Sequence, residues 1–225
     1  MFTCPPQFDT IAYRGRFYPW MYPARPGPDV QPQRCFRSSA EAEQAGYRLA
    51  STPRGAVRVD DIYLVPPERS LRTQCRGMAR IAGLPVPCPT LVPVPAGSVD
   101  GCTGLRRCVS RGMFVLEGNF NGPPGYVGAE GRNGHLWIFA AVASKASQIE
   151  CCAGRRTTAS FKVRRHRAAW LEYPPGSELN SGHVLLEWQE RGIVYAVSLH
   201  GHTDLNRKLD ALLARRLQMV TPASS

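Results

Sequence analysis

The chain has 225 residues and a formal net charge of +11, and 43% of its residues are hydrophobic. This length and hydrophobic content allow one large domain or two small ones, each with a real core. The longest apolar run, residues 136–143, is too short to span a membrane. The N-terminus lacks the basic and apolar regions of a secretory signal, so we expect a cytoplasmic protein.

The basic residues are almost all arginine, with 25 arginines against three lysines. One explanation is a coding bias toward arginine. The other is recognition of phosphate or carboxylate groups, for which the planar guanidinium is better suited than an ammonium group. A positive charge of this size favours acidic partners such as nucleic acid or anionic lipid.

The first 55 residues predict a proline-rich arm or small module ahead of a larger domain of residues 56–225. Short strands are expected on either side of Gly15, and Ser38 with Glu41 has the spacing of a helix capping box. Residues 35–48, CFRSSAEAEQAGYR, resemble part of a hairpin-and-helix module found in some bacterial secreted nucleases and related to the metal-binding domain of the Ada DNA-repair protein. Only Cys35 matches a ligand position there, so zinc binding does not carry over. The proline-rich arm is expected to suit a protein partner.

A helix is predicted for residues 66–82, with its apolar residues on one face. The opposite face carries four arginines: Arg69, Arg72, Arg76 and Arg80. Such a stripe is either an anion-binding surface or a solvated face. The prolines between residues 85 and 95 then predict an extended run that links two parts or lies as a strap across a sheet.

The rest of the chain is rich in strands. Alternating patterns predict six of them, at residues 113–120, 136–142, 157–163, 168–173, 184–189 and 193–199. Arg191-Gly192 and Asn133-Gly134 are read as tight turns. Thr203 and Asp204 precede a closing helix whose leucines share one face. We expect an α+β fold: an antiparallel sheet of five to seven strands packed against one or two helices.

Three segments resemble a group of uncharacterised actinobacterial proteins: GLPVPCPTLVP at residues 83–93, GHLWIFA at 134–140 and the stretch 181–207. This resemblance implies a shared fold. The terminal hairpin and helix also look like the end of LolA/RseB-like half-barrels. That likeness implies strands that curve around a helix and bind a hydrophobic ligand or a partner protein.

The eight cysteines are compatible with free thiols, disulfides or metal binding. None are spaced C-x-x-C, which excludes the common zinc knuckles and ribbons. Free thiols are the favoured interpretation, because no secretory signal indicates an oxidising compartment. The alternative is local disulfide loops, for which the spacing suits Cys75 with Cys88 and Cys102 with Cys108.

A cluster of histidines is expected where the last two strands meet the closing helix. Pairing about the turn at Arg191-Gly192 sets His183 opposite His200. The candidate metal ligands are His183, His200, His202 and Asp204. They can hold zinc, act as a general acid and base, or only hydrogen-bond and stabilise the corner.

A second candidate site is a run of basic residues without one acid, residues 155–167. Its candidate anion-binding residues are Arg155, Arg156, Lys162, Arg164, Arg165 and Arg167. Phe161 and Trp170 lie nearby, and basic groups interleaved with aromatic rings can hold phosphates and stack bases. The alternative is an edge hairpin kept soluble by its charge.

Four functions stay open at this point. The favoured one is a non-enzymatic binding protein whose basic surface meets an acidic macromolecule, either nucleic acid or acidic protein. The others are a half-barrel for an apolar ligand or partner peptide, a metal-dependent hydrolase at the histidine corner, and a structural component of a larger assembly. No nucleophile elbow or phosphate-binding loop is present, so no catalytic residue is predicted. Zinc is the one cofactor considered.

Overall fold

The computed structural model describes residues 10–19, 31–60, 62–67, 69–94, 109–121, 133–146, 155–173 and 183–222. Within these ranges the chain has an α+β fold with mostly antiparallel sheets, which confirms the predicted class. No helix in these ranges is long and apolar enough to cross a membrane.

The N-terminal part folds around a small core of its own. Its elements are β1 (Thr10–Tyr13), β2 (Arg16–Tyr18), β3 (Arg34–Phe36), α1 (Ser39–Gln44) and β4 (Arg48–Leu49). Their strands form a sheet in the order β3-β1-β2-β4. Phe17 and Phe36 are buried in it, and Tyr47 packs edge-on against Phe36 with the ring centroids 5.2 Å apart. The strands predicted around Gly15 are confirmed.

Helix α1 begins at the predicted capping box. The Ser38 hydroxyl accepts a hydrogen bond from the Glu41 N–H at 3.1 Å, and the Glu41 carboxylate accepts one from the Arg37 N–H at 2.7 Å. The first bond satisfies a backbone donor that the start of the helix leaves exposed, and the second satisfies the N–H of the residue before the N-cap. This unit meets the following strands through a second small cluster: Tyr18, Ala50, Tyr63 and Val65. The division of the chain after residue 55 stays a prediction.

Residues 57–94 form short strands around a longer helix. The elements are β5 (Val57–Val59), β6 (Ile62–Val65), α2 (Arg69–Ala82), β7 (Val86–Cys88) and β8 (Val92–Val94). The proline-rich run, predicted as a linker or strap, supplies β7 and β8. Pro87 and Pro93 lie in strands that, among the described residues, have a partner on one side only. Edge strands tolerate the missing N–H of proline, which explains how this run pairs.

The main sheet has seven strands, and each is antiparallel to its neighbours. They are β9 (Val109–Ser110), β10 (Met113–Asn121), β11 (Asn133–Val142), β12 (Arg155–Val163), β13 (His166–Glu172), β14 (His183–Glu190) and β15 (Ile193–His200). Their order is β12-β13-β14-β15-β11-β10-β9. The remaining elements are α3 (Ala143–Ala146), α4 (Asp204–Arg216) and β16 (Gln218–Val220). All six strands predicted in this region are present.

The two predicted turns have different outcomes. Arg191 and Gly192 both have positive φ, 52° and 76°, as a two-residue type I′ hairpin requires. The resulting register sets His183 against His200, as predicted. The prediction of a turn at Asn133-Gly134 is wrong, because both residues lie in β11 and pair with β10. The long ladder between β10 and β11 overrides the local turn preference of this dipeptide.

Helices α2 and α4 belong to one buried cluster with the main sheet. Leu209 and Leu213 of α4 are 0% and 1% exposed, so the predicted leucine face does cover the sheet. Each such leucine contributes about 1.5–3 kcal/mol of burial free energy. A smaller cluster on other sheet residues includes Phe139, Leu171 and Leu185.

A disulfide joins α2 to β7. Cys75 and Cys88 are bonded, with their Cα atoms 5.9 Å apart. The favoured expectation of free thiols is therefore wrong for this pair, and the alternative local loop is the one that forms. Cys35 is also disulfide-bonded. The predicted Cys102–Cys108 loop lies outside the described residues.

Candidate anion-binding groove

A groove of about 530 Å³ runs between α2 and β16. One wall is the exposed side of α2, and the other is the segment from Gln218 to Thr221. The lining residues are Arg72, Thr73, Arg76, Gly77, Arg80, Gln218, Met219, Val220 and Thr221. We call this feature the arginine groove.

The helical wall follows from the amphipathic pattern of α2. Its apolar side chains are buried in the core: Leu71, Cys75, Ala79 and Ala82. Arg72, Arg76 and Arg80 are each four residues apart, so they lie one above another on the exposed side. At a rise of 1.5 Å per residue, successive arginines are about 6 Å apart and the three span about 12 Å.

The three arginines have no internal counter-ion in the described part of the chain. The ion pairs there involve other cations, and no described carboxylate lines the groove. The helix from Arg69 to Ala82 contains no acidic residue. Like charges four residues apart destabilise a helix by about 0.2–0.5 kcal/mol per pair. A bound anion therefore relieves a repulsion that the folded chain leaves uncompensated.

The strand wall is an edge. Among the described residues, β16 pairs with β7 alone. Consecutive residues from Gln218 to Thr221 line the groove, whereas no residue of β7 does. The strand wall of the arginine groove is therefore formed by Gln218 to Thr221, and the edge of β16 that faces away from β7 has no partner strand among the described residues. An edge of this kind presents backbone donors and acceptors that can pair with another extended chain.

Gly77 is a conspicuous member of the helical wall. A glycine inside a helix costs about 1 kcal/mol relative to alanine. A Cβ built on Gly77 would meet nothing within 4 Å, and its φ is not positive. Neither close packing nor backbone geometry therefore requires glycine here. Because Gly77 has no side chain, the helix backbone between Arg76 and Arg80 is accessible from the groove.

The Cys75–Cys88 disulfide holds the two walls together. Cys75 lies on α2 between Arg72 and Arg76, and Cys88 pairs with Gln218 of β16 in the sheet register. The covalent bond thus ties the arginine helix to the strand that positions the opposite wall. A groove whose walls are fixed in advance loses less entropy when it binds.

The amino-acid pattern reveals only half of this site. The predicted stripe on α2 contains the three groove arginines, while Arg69, the fourth member, does not line the groove. The sequence does not predict the strand wall, because residues 218–221 lie beside α2 as a result of the pairing of β16 with β7. No local signal in the sequence indicates that pairing.

The predicted histidine pair is present, with His183 buried and His200 half-buried. The rings of His183 and His200 have centroids 4.6 Å apart, and His183 stacks on Trp137 at 4.2 Å. His183 is 1% exposed. The Ser198 hydroxyl donates to the Val184 carbonyl at 3.0 Å, so it accepts from His183 Nδ1 at 2.7 Å. In this arrangement His183 is the donor to Ser198.

The other two predicted ligands lie apart from a metal-binding arrangement. His202 and Asp204 are exposed. In the ranges that the structure describes, no three histidine, cysteine or acidic side chains form a group that could hold a metal ion. The corner is joined instead by Asn206, whose side-chain amide donates to the His200 carbonyl at 2.6 Å, and by Thr203, which caps α4. Asn206 was not predicted.

The predicted basic run forms the hairpin of β12 and β13, at one edge of the main sheet. Two of its cations are neutralised: Arg156 bonds the buried carboxylate of Glu187, and Arg164 lies 3.3 Å from Glu190. The exposed cations with no ion pair among the described residues are Lys162, Arg165 and Arg167. Arg155 lies in β12.

The aromatic rings near this hairpin are covered by α4. The Arg215 guanidinium lies 4.6 Å from the centroid of Phe161, and that of Arg207 lies 5.2 Å from Trp170. Both rings are only partly exposed and pack on the core. They therefore stabilise the contact between helix and sheet.

Helix α4 also buries an acidic side chain. Asp210 is fully buried, and burial raises the pKa of its carboxyl well above the ordinary value. The nearby Leu199 backbone and the charge of Arg207 offset this pKa increase only in part. Asp210 thus lowers the stability of the fold as the pH rises above the pKa of its carboxyl in the unfolded chain.

Comparison with family models, curated proteins and solved structures finds no match to this chain. The resemblances to actinobacterial proteins, half-barrels and the Ada-related module stay predictions.

Proposed function

We propose that this chain is a non-enzymatic binding protein that holds an acidic macromolecule in the arginine groove. The observation that carries the proposal is the ladder of Arg72, Arg76 and Arg80, which line one groove without a carboxylate partner in the described chain. Guanidinium groups bind carboxylate or phosphate through paired hydrogen bonds, so three of them in a row suit a chain of anions better than a single ion.

The hairpin of β12 and β13 is the competing surface for the same partner. Its three cations without an ion pair to a described residue are exposed, but two neighbouring arginines are already bonded to glutamates. Its aromatic rings are covered by α4. These contacts favour the groove over the hairpin, and the equal number of open cations supplies a matched control.

The test is a binding titration of two labelled polyanions, polyglutamate and single-stranded DNA, with three proteins. They are the wild type, the groove variant Arg72→Gln/Arg76→Gln/Arg80→Gln, and the hairpin variant Lys162→Gln/Arg165→Gln/Arg167→Gln. Both variants lose the same charge, so a general loss of attraction affects them equally. We expect binding to weaken far more in the groove variant. Absence of binding by the wild type, or a larger loss in the hairpin variant, would contradict the proposal.

The salt dependence supplies a second readout. Binding through three ion contacts to a single-stranded polyanion gives a log–log slope of about −2 against salt concentration. The groove variant should lose most of that slope, whereas the hairpin variant should keep it. Thermal denaturation of all three proteins checks that the substitutions leave the fold intact.

The disulfide bears on where this binding takes place. Thiols are kept reduced in the cytosol, and structural disulfides are typical of oxidising compartments. The Cys75–Cys88 bond is therefore an argument against the cytoplasmic location, which stays a prediction. Counting alkylated cysteines in protein taken directly from its native cells tests the point, because a cytosolic protein would have both thiols modified.

The remaining hypotheses have less support. The sheet side chains that contact α2 and α4 are buried in one cluster with those helices, and this close packing argues against a half-barrel that holds an apolar ligand there. A metal-dependent hydrolase lacks an assembled ligand group there. A structural role in a larger assembly is compatible with the arginine groove, because its acidic partner can be another component of that assembly.

A further inference from the structure

We infer that the acidic partner is an extended protein segment that adds as a strand to the open edge of β16, with alternate carboxylates on Arg72, Arg76 and Arg80. This inference rests on the proposed function and names the chemical class of its partner. Strand addition supplies affinity through main-chain hydrogen bonds, while side chains on one face of the added strand supply specificity.

The position of β16 suits this mode. Within the described chain its partner strand is β7 alone, and consecutive residues from Gln218 to Thr221 line the groove. An incoming strand can therefore meet backbone groups on one wall while its side chains reach α2 on the other.

The spacing of the arginines matches an extended peptide. Successive arginines on α2 are about 6 Å apart. Side chains two residues apart on a strand face the same way and are about 6.6–6.8 Å apart. Three acidic residues at alternate positions thus span about 13 Å, against about 12 Å for Arg72 to Arg80. The spacing of the arginines and the spacing of the carboxylates thus differ by less than about 1 Å per step.

The lining favours a peptide over a nucleic acid. Single-stranded nucleic acids are bound by a basic groove together with aromatic rings on which the bases stack. The described residues that line the arginine groove include no aromatic side chain. They include two threonines, a glutamine and Gly77, which leaves the helix backbone open to close approach. Backbone access and small polar groups suit a polypeptide.

The experiment uses three synthetic peptides and the intact protein. The first peptide carries three glutamates at alternate positions among valines. The second has the same composition, with the glutamates consecutive. The third repeats the first with alternate backbone nitrogens methylated on the edge that would pair with β16. We expect the first peptide to bind about tenfold or more tightly than either of the others, since loss of register or of main-chain donors costs about that much.

A protein variant tests the shape of the groove independently of its charge. Gly77→Gln adds a side chain over the open wall and favours the helix, because glutamine is a better helix former than glycine. We expect a raised melting temperature together with a weaker affinity for the first peptide. Ile81→Gln, on the same helix, is 60% exposed and outside the groove lining, so it serves as the matched control.

The outcomes separate this inference from the proposed function. Equal binding of all three peptides would overturn strand addition and leave the arginine groove as a general anion site. Tighter binding of single-stranded DNA than of the first peptide would overturn the choice of partner. A Gly77→Gln protein that binds as well as the wild type would contradict the position of the peptide. If the protein bound none of the polyanions, that result would contradict the proposed function itself.

Discussion

The Cys75–Cys88 disulfide is expected to make a large contribution to stability. Removing it through Cys75→Ala/Cys88→Ala opens a loop whose ends are 13 residues apart in sequence. Loop-closure entropy for that separation corresponds to about 3 kcal/mol at room temperature. For a domain of this size, such a loss lowers the melting temperature by about 6–12 °C.

Urea denaturation of the two proteins measures this contribution. The free energy of unfolding should fall by about 3 kcal/mol in the variant. The m-value should rise, because the unfolded chain without the bond is less compact. Adding a reductant to the variant reports on any other disulfide, so the effect of Cys75–Cys88 can be isolated. If the wild type with and without reductant unfolded at the same urea concentration, the bond would not constrain the chain as described.

Three further substitutions test other features of the fold. Asp210→Asn should stabilise the protein near neutral pH. The pKa of Asp210 is raised in the folded protein, so the carboxyl costs stability as the pH rises above 3.8, the ordinary pKa that it has in the unfolded chain. The gain should vanish at lower pH, and an equal gain at all pH values would refute this reason. Arg165→Gly should raise stability by about 1 kcal/mol, since φ is +74° at Arg165; the same change at Arg167, within β13, should destabilise. Gly77→Ala should also raise the free energy of unfolding, measured by urea denaturation, by about 1 kcal/mol. An unchanged free energy of unfolding would contradict a helical conformation at Gly77.

Much of the fold could be predicted, because its signals are local. The hairpin of β14 and β15 follows from alternating side chains and from Arg191-Gly192, and the turn alone sets His183 against His200. The closing helix follows from its leucine spacing. Such patterns depend on neighbours within about one strand or two helical turns.

The errors come from interactions between distant parts of the chain. Asn133-Gly134 has the composition of a turn, but pairing with Asn121 and Phe120 draws both residues into β11. The proline-rich run has no local strand signal, and its β7 pairs with residues 218–220 at the other end of the described chain. That one pairing creates the strand wall of the arginine groove. The candidate site could therefore be predicted only as a stripe of arginines.

The site predictions also depended on burial, which local patterns do not report. His183 and His200 meet as predicted, yet His183 is buried against Trp137 and bonded to Ser198. Arg156 lies in the predicted basic run, yet it bonds the buried carboxylate of Glu187. The contacts with Trp137 and Glu187 join strands that are not neighbours in the sheet, so the sequence does not reveal them.

The most direct test of the account is to map polyglutamate binding on the isotopically labelled protein by NMR. We predict that the amide shifts cluster on Arg72, Arg76 and Gly77 of α2 and on Gln218 to Val220 of β16, and that they weaken as salt is added. Shifts confined to the hairpin of β12 and β13, or shifts absent from both walls of the arginine groove, would contradict the central claim.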